Sequence, residues 1–262
     1  SEGWEVLRNT DYAGHIYIYD SERDSFMMAF KALGYSMNTE DPNEINDAYE
    51  WLLQMNNTMS PVYVTDEVID GSHMLCYPGL VNTHHHLYQV FSRNLPQVQN
   101  MELFDWLKTL YEIWKGIDRE IVYCSSALAM TELMKWGCTT AFDHHYVFPK
   151  NAGHLLIDEQ FRAADALGMR FAASRGSMDL SKKDGGLPPD SVVQTVDEIL
   201  EDSRRLAAEY HDASFGSMRT LALAPCSPFS VSGELMKQSA LLARELGLRL
   251  HTHLAETKDE EN

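Results

Sequence analysis

The stretch LVNTHHHLYQ, residues 80–89, runs from an apolar, strand-like segment into three consecutive histidines, and the reading of those histidines decides what kind of sheet the chain builds. On a β-strand alternate side chains share a face, so His84 and His86 point into one space while His85 points to the other. At the end of a parallel strand that space is the carboxyl edge of the sheet, where barrel enzymes place their chemistry. Alone, a His-x-His pair serves equally well as two satisfied polar groups at a strand end. A second stretch, RLHTHL (249–254), repeats the pattern with His251 and His253, and Glu256 follows three residues on. Neutral imidazole is the commonest nitrogen ligand of Zn2+ and also suits iron, and a catalytic site leaves one position open for water. A cation there lowers the pKa of water from ~15.7 towards ~7, and a neighbouring glutamate that is not a ligand can move the protons. Histidines at two strand ends with a carboxylate beside one of them favour a hydrolytic metal centre over a purely structural role.

Around these two stretches the pattern is regular. Short apolar runs at 80–86, 139–143 (TTAFD), 170–175 (RFAASR), 220–225 (TLALAP) and 249–254 predict strands. Amphipathic runs at 102–114, 119–136, 156–167, 190–210 and 232–246 predict helices between them, and Gly137, Gly168 and Gly247 each stand where a helix ends and the chain turns back. Alternation of this kind predicts an α/β fold with a parallel sheet, either doubly wound or part of a (β/α)8 barrel. No internal repeat is visible, which argues against a solenoid.

Composition bounds the rest. The 262 residues carry a formal net charge of −18, which opposes binding to a phosphate backbone or an anionic membrane. The four cysteines contain no CxxC pair and fit a reducing compartment, so the expected location is cytoplasmic. No apolar run reaches the ~18 to 20 residues of a membrane span, and the opening residues do not resemble a charged, then apolar, then small-residue signal. The chain opens on Ser1 and finishes in a charged run, which suggests that both ends are cut. Residues 1–70 carry 14 acidic and 3 basic side chains, net −11, against net −7 for 71–262, and all histidines but His15 fall in the second part. Two units are therefore expected, 1–70 and 71–262. In the first, GHIYIYD (14–20) and PVYVTDEVI (61–69) read as strands. A helix runs from the Ser21 cap to Gly34, and a second runs from Asp41-Pro42 to about Met55.

Several further features have a plain reading beside a functional one. One of His144 and His145, in AFDHHY, could face the pocket, and a surface or supporting role serves as well. Cys226, in APCSPFS, reads as a buried thiol at a stiff turn near the pocket rim. Lys182-Lys183-Asp184-Gly185-Gly186 reads as a solvated loop, and Trp106 and Trp114 as core at helical spacing or as a lid over a flat ring. Gly71-Ser72-His73-Met74 is read as native sequence.

From about Asp66 onward, YPGLVNTHHHLYQ, ELFDWLK, TTAFDHHYVFP, RFAASRGSMDLSKKDGGLPPDSVVQ, LALAPCSPFSVS and LHTHLAET resemble the amidohydrolase superfamily, in its branch of 8-oxoguanine and hydroxyatrazine aminohydrolases. The resemblance implies a (β/α)8 TIM barrel of which this chain carries strands one to five. It also implies one Zn2+ (or Fe2+) per site on His84, His86 and His253, Glu256 as the catalytic proton shuttle, and His251 facing away from the metal as His85 does. The substrate it implies is a small purine or triazine whose amino-bearing ring carbon is attacked by activated water. Gln89, Trp106 and His145 are the expected substrate contacts, and a homo-oligomer is left open. The superfamily also draws a histidine from its sixth strand and an aspartate from its eighth, so the chain alone is expected to bind metal weakly and to turn over little or no substrate. Residues 1–65 resemble instead a fragment of the spermidine/putrescine-binding proteins of ABC transporters, a periplasmic-binding-protein lobe, with Ser21 and Asp24 facing a polyamine. The two resemblances meet in TDEVIDG (65–71). A polyamine-binding fragment and a non-functional chimera are the alternatives to an aminohydrolase.

Overall fold

The computed structural model describes residues 3–19, 21–64, 75 and 77–258. The junction TDEVIDG (65–71), Gly71-Ser72-His73-Met74, Cys76 and the last four residues lie outside the described residues. The chain divides into two compact units between Cys76 and Tyr77.

In the first unit, strand β1 (Tyr17–Tyr19) pairs in parallel with β2 (Val62–Val64), and helices α1 (Glu22–Leu33) and α2 (Pro42–Met59) lie between them in sequence. Ser21 caps α1 through its Oγ, which accepts from the Asp24 backbone N–H at 3.3 Å, and Gly34 ends the helix in the left-handed region that its missing Cβ permits. Ser21 and Asp24, expected to face a polyamine, therefore sit in the first turn of a capped helix. α2 runs a full turn beyond the expected Met55, because Met55 and Met59 share a face that packs against Ile18, Phe30 and Trp51.

The second unit holds a five-stranded parallel sheet in the order β3 (Leu80–His85), β4 (Cys138–His145), β5 (Arg170–Ser177), β6 (Arg219–Pro225), β7 (Arg249–Leu250). Helices α3 (Leu103–Trp114) and α4 (Arg119–Lys135) connect β3 to β4, and α5 (Leu156–Leu167), α6 (Val196–Tyr210) and α7 (Gly233–Leu246) make the remaining crossovers. The sheet curls into half of a barrel, one of the two architectures the alternation left open and the one the family resemblance implied. The apolar core lies between the sheet and its helices, where Val122, Met130, Leu156, Phe161, Phe171, Leu221 and Leu223 are buried. Arg175 on β5 is buried there too, with its Nε donating to Asp202 Oδ2 of α6 at 2.6 Å and its guanidinium 3.8 Å from the Phe148 ring centroid. Such a pair holds β5 to α6 because removing either partner would leave a charge buried without a counter-ion.

Two elements differ from the sequence expectation. α6 begins at Val196 rather than near 190, because Thr195 and Glu198 form a reciprocal capping box that sets the first turn. β7 is regular for only two residues, although the His251 and His253 backbone N–H groups still donate to Leu223 and Cys226 carbonyls of the β6 side at 2.9 Å each. Ala255, at φ 58°, then turns the chain out of the extended conformation.

Candidate functional site

The imidazoles of the two His-x-His stretches meet. His84 Nε2 lies 3.2 Å from His86 Nε2, and His253 Nε2 lies 3.3 Å from each of them. In a flat sheet, β3 and β7 would stand four strand spacings apart, about 19 Å. The contact exists because the sheet curls and both strands turn their inward side chains into one lumen.

The outer nitrogens fix the tautomers. His86 Nδ1 donates to the His144 carbonyl at 2.6 Å, and His253 Nδ1 donates to the Cys226 carbonyl at 2.8 Å. A carbonyl can only accept, so both protons sit on Nδ1 and both Nε2 lone pairs face inward. Burial above all pushes the His86 pKa down to about 3, so the ring stays neutral. Burial and then the neighbouring His253 and His85 lower that of His84. Two lone pairs facing each other with no proton between them repel, and a cation is what such an arrangement accommodates. The dimensions agree: nitrogens that each bind a tetrahedral zinc at ~2.0 to 2.1 Å stand about 3.3 Å apart. A looser grouping of His84, His144 and His253 offers one nitrogen from each ring within 4.8 Å, too open to share one ion without rearrangement.

Beside the triangle is a cavity of about 220 Å3 whose lining includes His86, His253, Gln89, Trp106, Tyr146, Phe229 and Glu256. Gln89 Nε2 donates to the hydroxyls of Tyr88 and Tyr146 at 3.3 Å, which holds the amide against the cavity wall. Cys226 is a buried thiol at the same wall, pushed up to about 12 chiefly by burial.

His145, expected at the substrate, is not in this lining. Its Nε2 donates to the Val147 carbonyl at 2.9 Å, and its ring packs between Tyr88 and Phe148 in the interior. Alternation along β4 sends His145 outward into the core and His144 inward. His144 stacks on His253 with centroids 4.2 Å apart and planes 7° from parallel. His251, expected to face away, also lies inside: its centroid is 5.4 Å from His84 and 5.0 Å from His144. It stands two residues from His253 on nearly extended backbone, so the two rings share a side. Asp143 escaped the sequence reading altogether. Fully buried, it accepts from the Leu87 backbone N–H and from Gln160 Nε2, each at 2.6 Å, and so pins the turn that follows His86. The signal available for it was a lone carboxylate inside the apolar run TTAFD.

A half-barrel of parallel strands with imidazoles gathered at their carboxyl ends, and beside them a small cavity whose lining includes Glu256, matches the architecture of a (β/α)8-barrel metal site. The chain belongs to the amidohydrolase family, whose profile matches residues 75–262. It is 51% identical over 193 residues to 8-oxoguanine deaminase of Pseudomonas aeruginosa, covering 74% of this chain and 43% of that protein. It is 40% identical over 205 residues to hydroxydechloroatrazine ethylaminohydrolase of Pseudomonas sp. strain ADP, covering 76% of this chain and 43% of that protein. Among solved structures, the atrazine chlorohydrolase of Arthrobacter aurescens TC1 complexed with zinc superposes with a TM-score of 0.66 at 33% identity, covering 70% of this chain and 41% of that one. The chain thus spans less than half the length of these relatives, and the family match begins at residue 75, beyond the segment likened to polyamine-binding proteins.

Proposed function

We propose that this chain carries the first five strands of a metal-dependent aminohydrolase that removes the amino group of an N-heterocycle, 8-oxoguanine or a related purine or triazine, by hydrolysis. The observation that carries the reading is the triangle of Nε2 atoms at 3.2 to 3.3 Å, two of which are held as inward lone pairs by carbonyls behind them. In this reading His84, His86 and His253 hold one divalent cation, Zn2+ or Fe2+. When bound, that ion acts as a Lewis acid that brings the pKa of water towards neutrality. Glu256, on the cavity wall, would take one proton from the water and pass it to the ring nitrogen as the oxygen bonds to the ring carbon. It would then relay the second proton, from the new hydroxyl, to the amino group, so that the carbon–nitrogen bond breaks and ammonia leaves. Trp106, Phe229 and Tyr146 enclose a flat heterocycle and exclude bulk water, and Gln89 is placed to hydrogen-bond its edge. A cavity of about 220 Å3 suits one or two fused rings and not a polymer.

The experiment is metal analysis of the purified 262-residue chain after dialysis against Zn2+, joined to ammonia release from 8-oxoguanine and from an aminotriazine. One weakly held zinc per chain is expected, lost in His84→Ala and His253→Ala and kept in Glu256→Gln, together with little or no ammonia release. The chain covers 43% of the length of each of the two Pseudomonas relatives, which is why weak binding and little turnover are expected. A wild-type chain that retains no zinc overturns the reading, and rapid ammonia release shows that five strands suffice.

A further inference from the structure

We propose that His144 is the positioning residue of the three-imidazole site, orienting one ligand through its backbone and another through the face of its ring. The inference rests on the reading of His84, His86 and His253 as a cation site. The His144 carbonyl accepts the proton of His86 Nδ1 at 2.6 Å, and its imidazole lies flat on that of His253, centroids 4.2 Å apart and planes 7° from parallel. One residue on β4 thus touches ligands from both edges of the sheet.

His253 is the ring that His144 covers. It lies past the regular part of β7, and its backbone N–H and its Nδ1 both bond to the Cys226 carbonyl. Both contacts come from the β6 side, and the Nδ1 bond lies in the plane of the ring, whereas His144 bears on the ring's face. His144 covers that face from a strand paired on both sides, with His85 opposite Asp143 and His144 opposite Ser174 in register. His144 is itself fully buried, and neither of its ring nitrogens has a hydrogen-bond partner among the described residues, so the ring contributes its flat face rather than its polar atoms. A role as a fourth ligand does not fit. Two nearly parallel rings aim their in-plane lone pairs along parallel planes, which do not converge on one ion.

The test compares His144→Phe, which keeps a flat ring and the carbonyl, with His144→Ala, which keeps only the carbonyl. His144→Leu is the third variant, and it replaces the alanine variant if that fails to fold. Without metal, the ring protons of His253 are expected to carry an upfield ring-current shift in wild type and in His144→Phe, and to lose it in His144→Ala. With Co2+ as the probe, His144→Phe is expected to bind within about twofold of wild type. His144→Ala is expected to bind ~10 to 100-fold more weakly, the range for a group that orients a ligand, with an altered visible spectrum. Rescue by phenylalanine excludes a ligand, and weak Co2+ binding in His144→Leu, which fills the space without a flat ring, excludes a simple space-filler. If His144→Phe loses Co2+ as His253→Ala does, His144 is a ligand and the proposal fails; if His144→Ala matches wild type in both readouts, it also fails. The ring-current arm needs no metal: a wild-type chain with the shift but no Co2+ binding overturns the cation site, and a wild-type chain without the shift overturns the role given to His144.

Discussion

Strands β4, β5 and β6 are paired on both sides and send Ala141, Phe171, Ala173, Leu221 and Leu223 into the buried core, whereas β3 and β7 are paired on one side and leave Leu80, Val81 and Leu250 exposed. The residues proposed to hold the cation all stand at the ends of the two outer strands, and the residues that support them, Asp143 and His144, stand on β4. The buried core and the proposed cation ligands therefore belong to different strands of one sheet. Curvature joins them, since it brings the outer strands face to face across the lumen.

That contrast is most severely tested by closing the space at Gly176 on β5. A Cβ there would lie 2.0 Å from the His145 carbonyl oxygen and under 3 Å from the next backbone atoms, and backbone in a two-sided strand has little room to retreat. Gly176→Ala is expected to cost about 3 kcal/mol or more in urea unfolding, by overpacking. An unchanged midpoint would show that the middle strands are softer than their burial suggests.

A smaller effect is expected at Asp158, whose two oxygens accept from Arg205 at 2.7 and 2.8 Å and join α5 to α6. Burial raises the carboxyl pKa, but hydrogen bonding and attraction from Arg205 outweigh it, and the net shift is downward. A group whose folded pKa is depressed stabilises the fold above its unfolded pKa of about 4, and that contribution fades as pH falls through the folded value. Asp158→Asn is expected to lose ~1 to 3 kcal/mol near pH 7 and to converge with wild type in strong acid. Parallel curves from pH 7 to pH 2 would dissociate the pair from stability.

The smallest effect is expected at the rim. His84 is exposed and is held there by the strand rather than holding it. Metal-free His84→Ala is expected to melt within about 0.5 kcal/mol of wild type. Added Zn2+ should stabilise the wild type alone, since only a binding-competent native state gains from the ligand. A large loss in the metal-free variant would place fold stability in the outer strands after all.

The strands and helices of residues 77–258 were legible because period-two and period-3.6 patterns alternate cleanly and glycines mark the turns. So were the imidazoles at two strand ends. Alternation alone could not tell how the histidines would be used. It puts His251 and His253 on one side without saying which reaches His84, and it leaves open which of His144 and His145 faces the lumen. Those choices depend on register against neighbouring strands and on the curl, both of which involve residues far apart in sequence. Asp143 was invisible for the same reason, since its partners Leu87 and Gln160 come from separate elements. The turn at Ala255, at positive φ, was likewise unannounced, since no glycine or proline stands there.

His84 and His253 are separated by 169 positions along the chain, yet their nitrogens are in contact. No hairpin, single βα unit or partly folded segment contains that triangle, because it requires every intervening strand in register and the sheet bent to its final radius. Local helices form within about a microsecond, whereas closure over so long a loop comes late in folding. Capture of an ion by these rings would accordingly report the last step of maturation, and a nascent or misassembled polypeptide would be unable to sequester one.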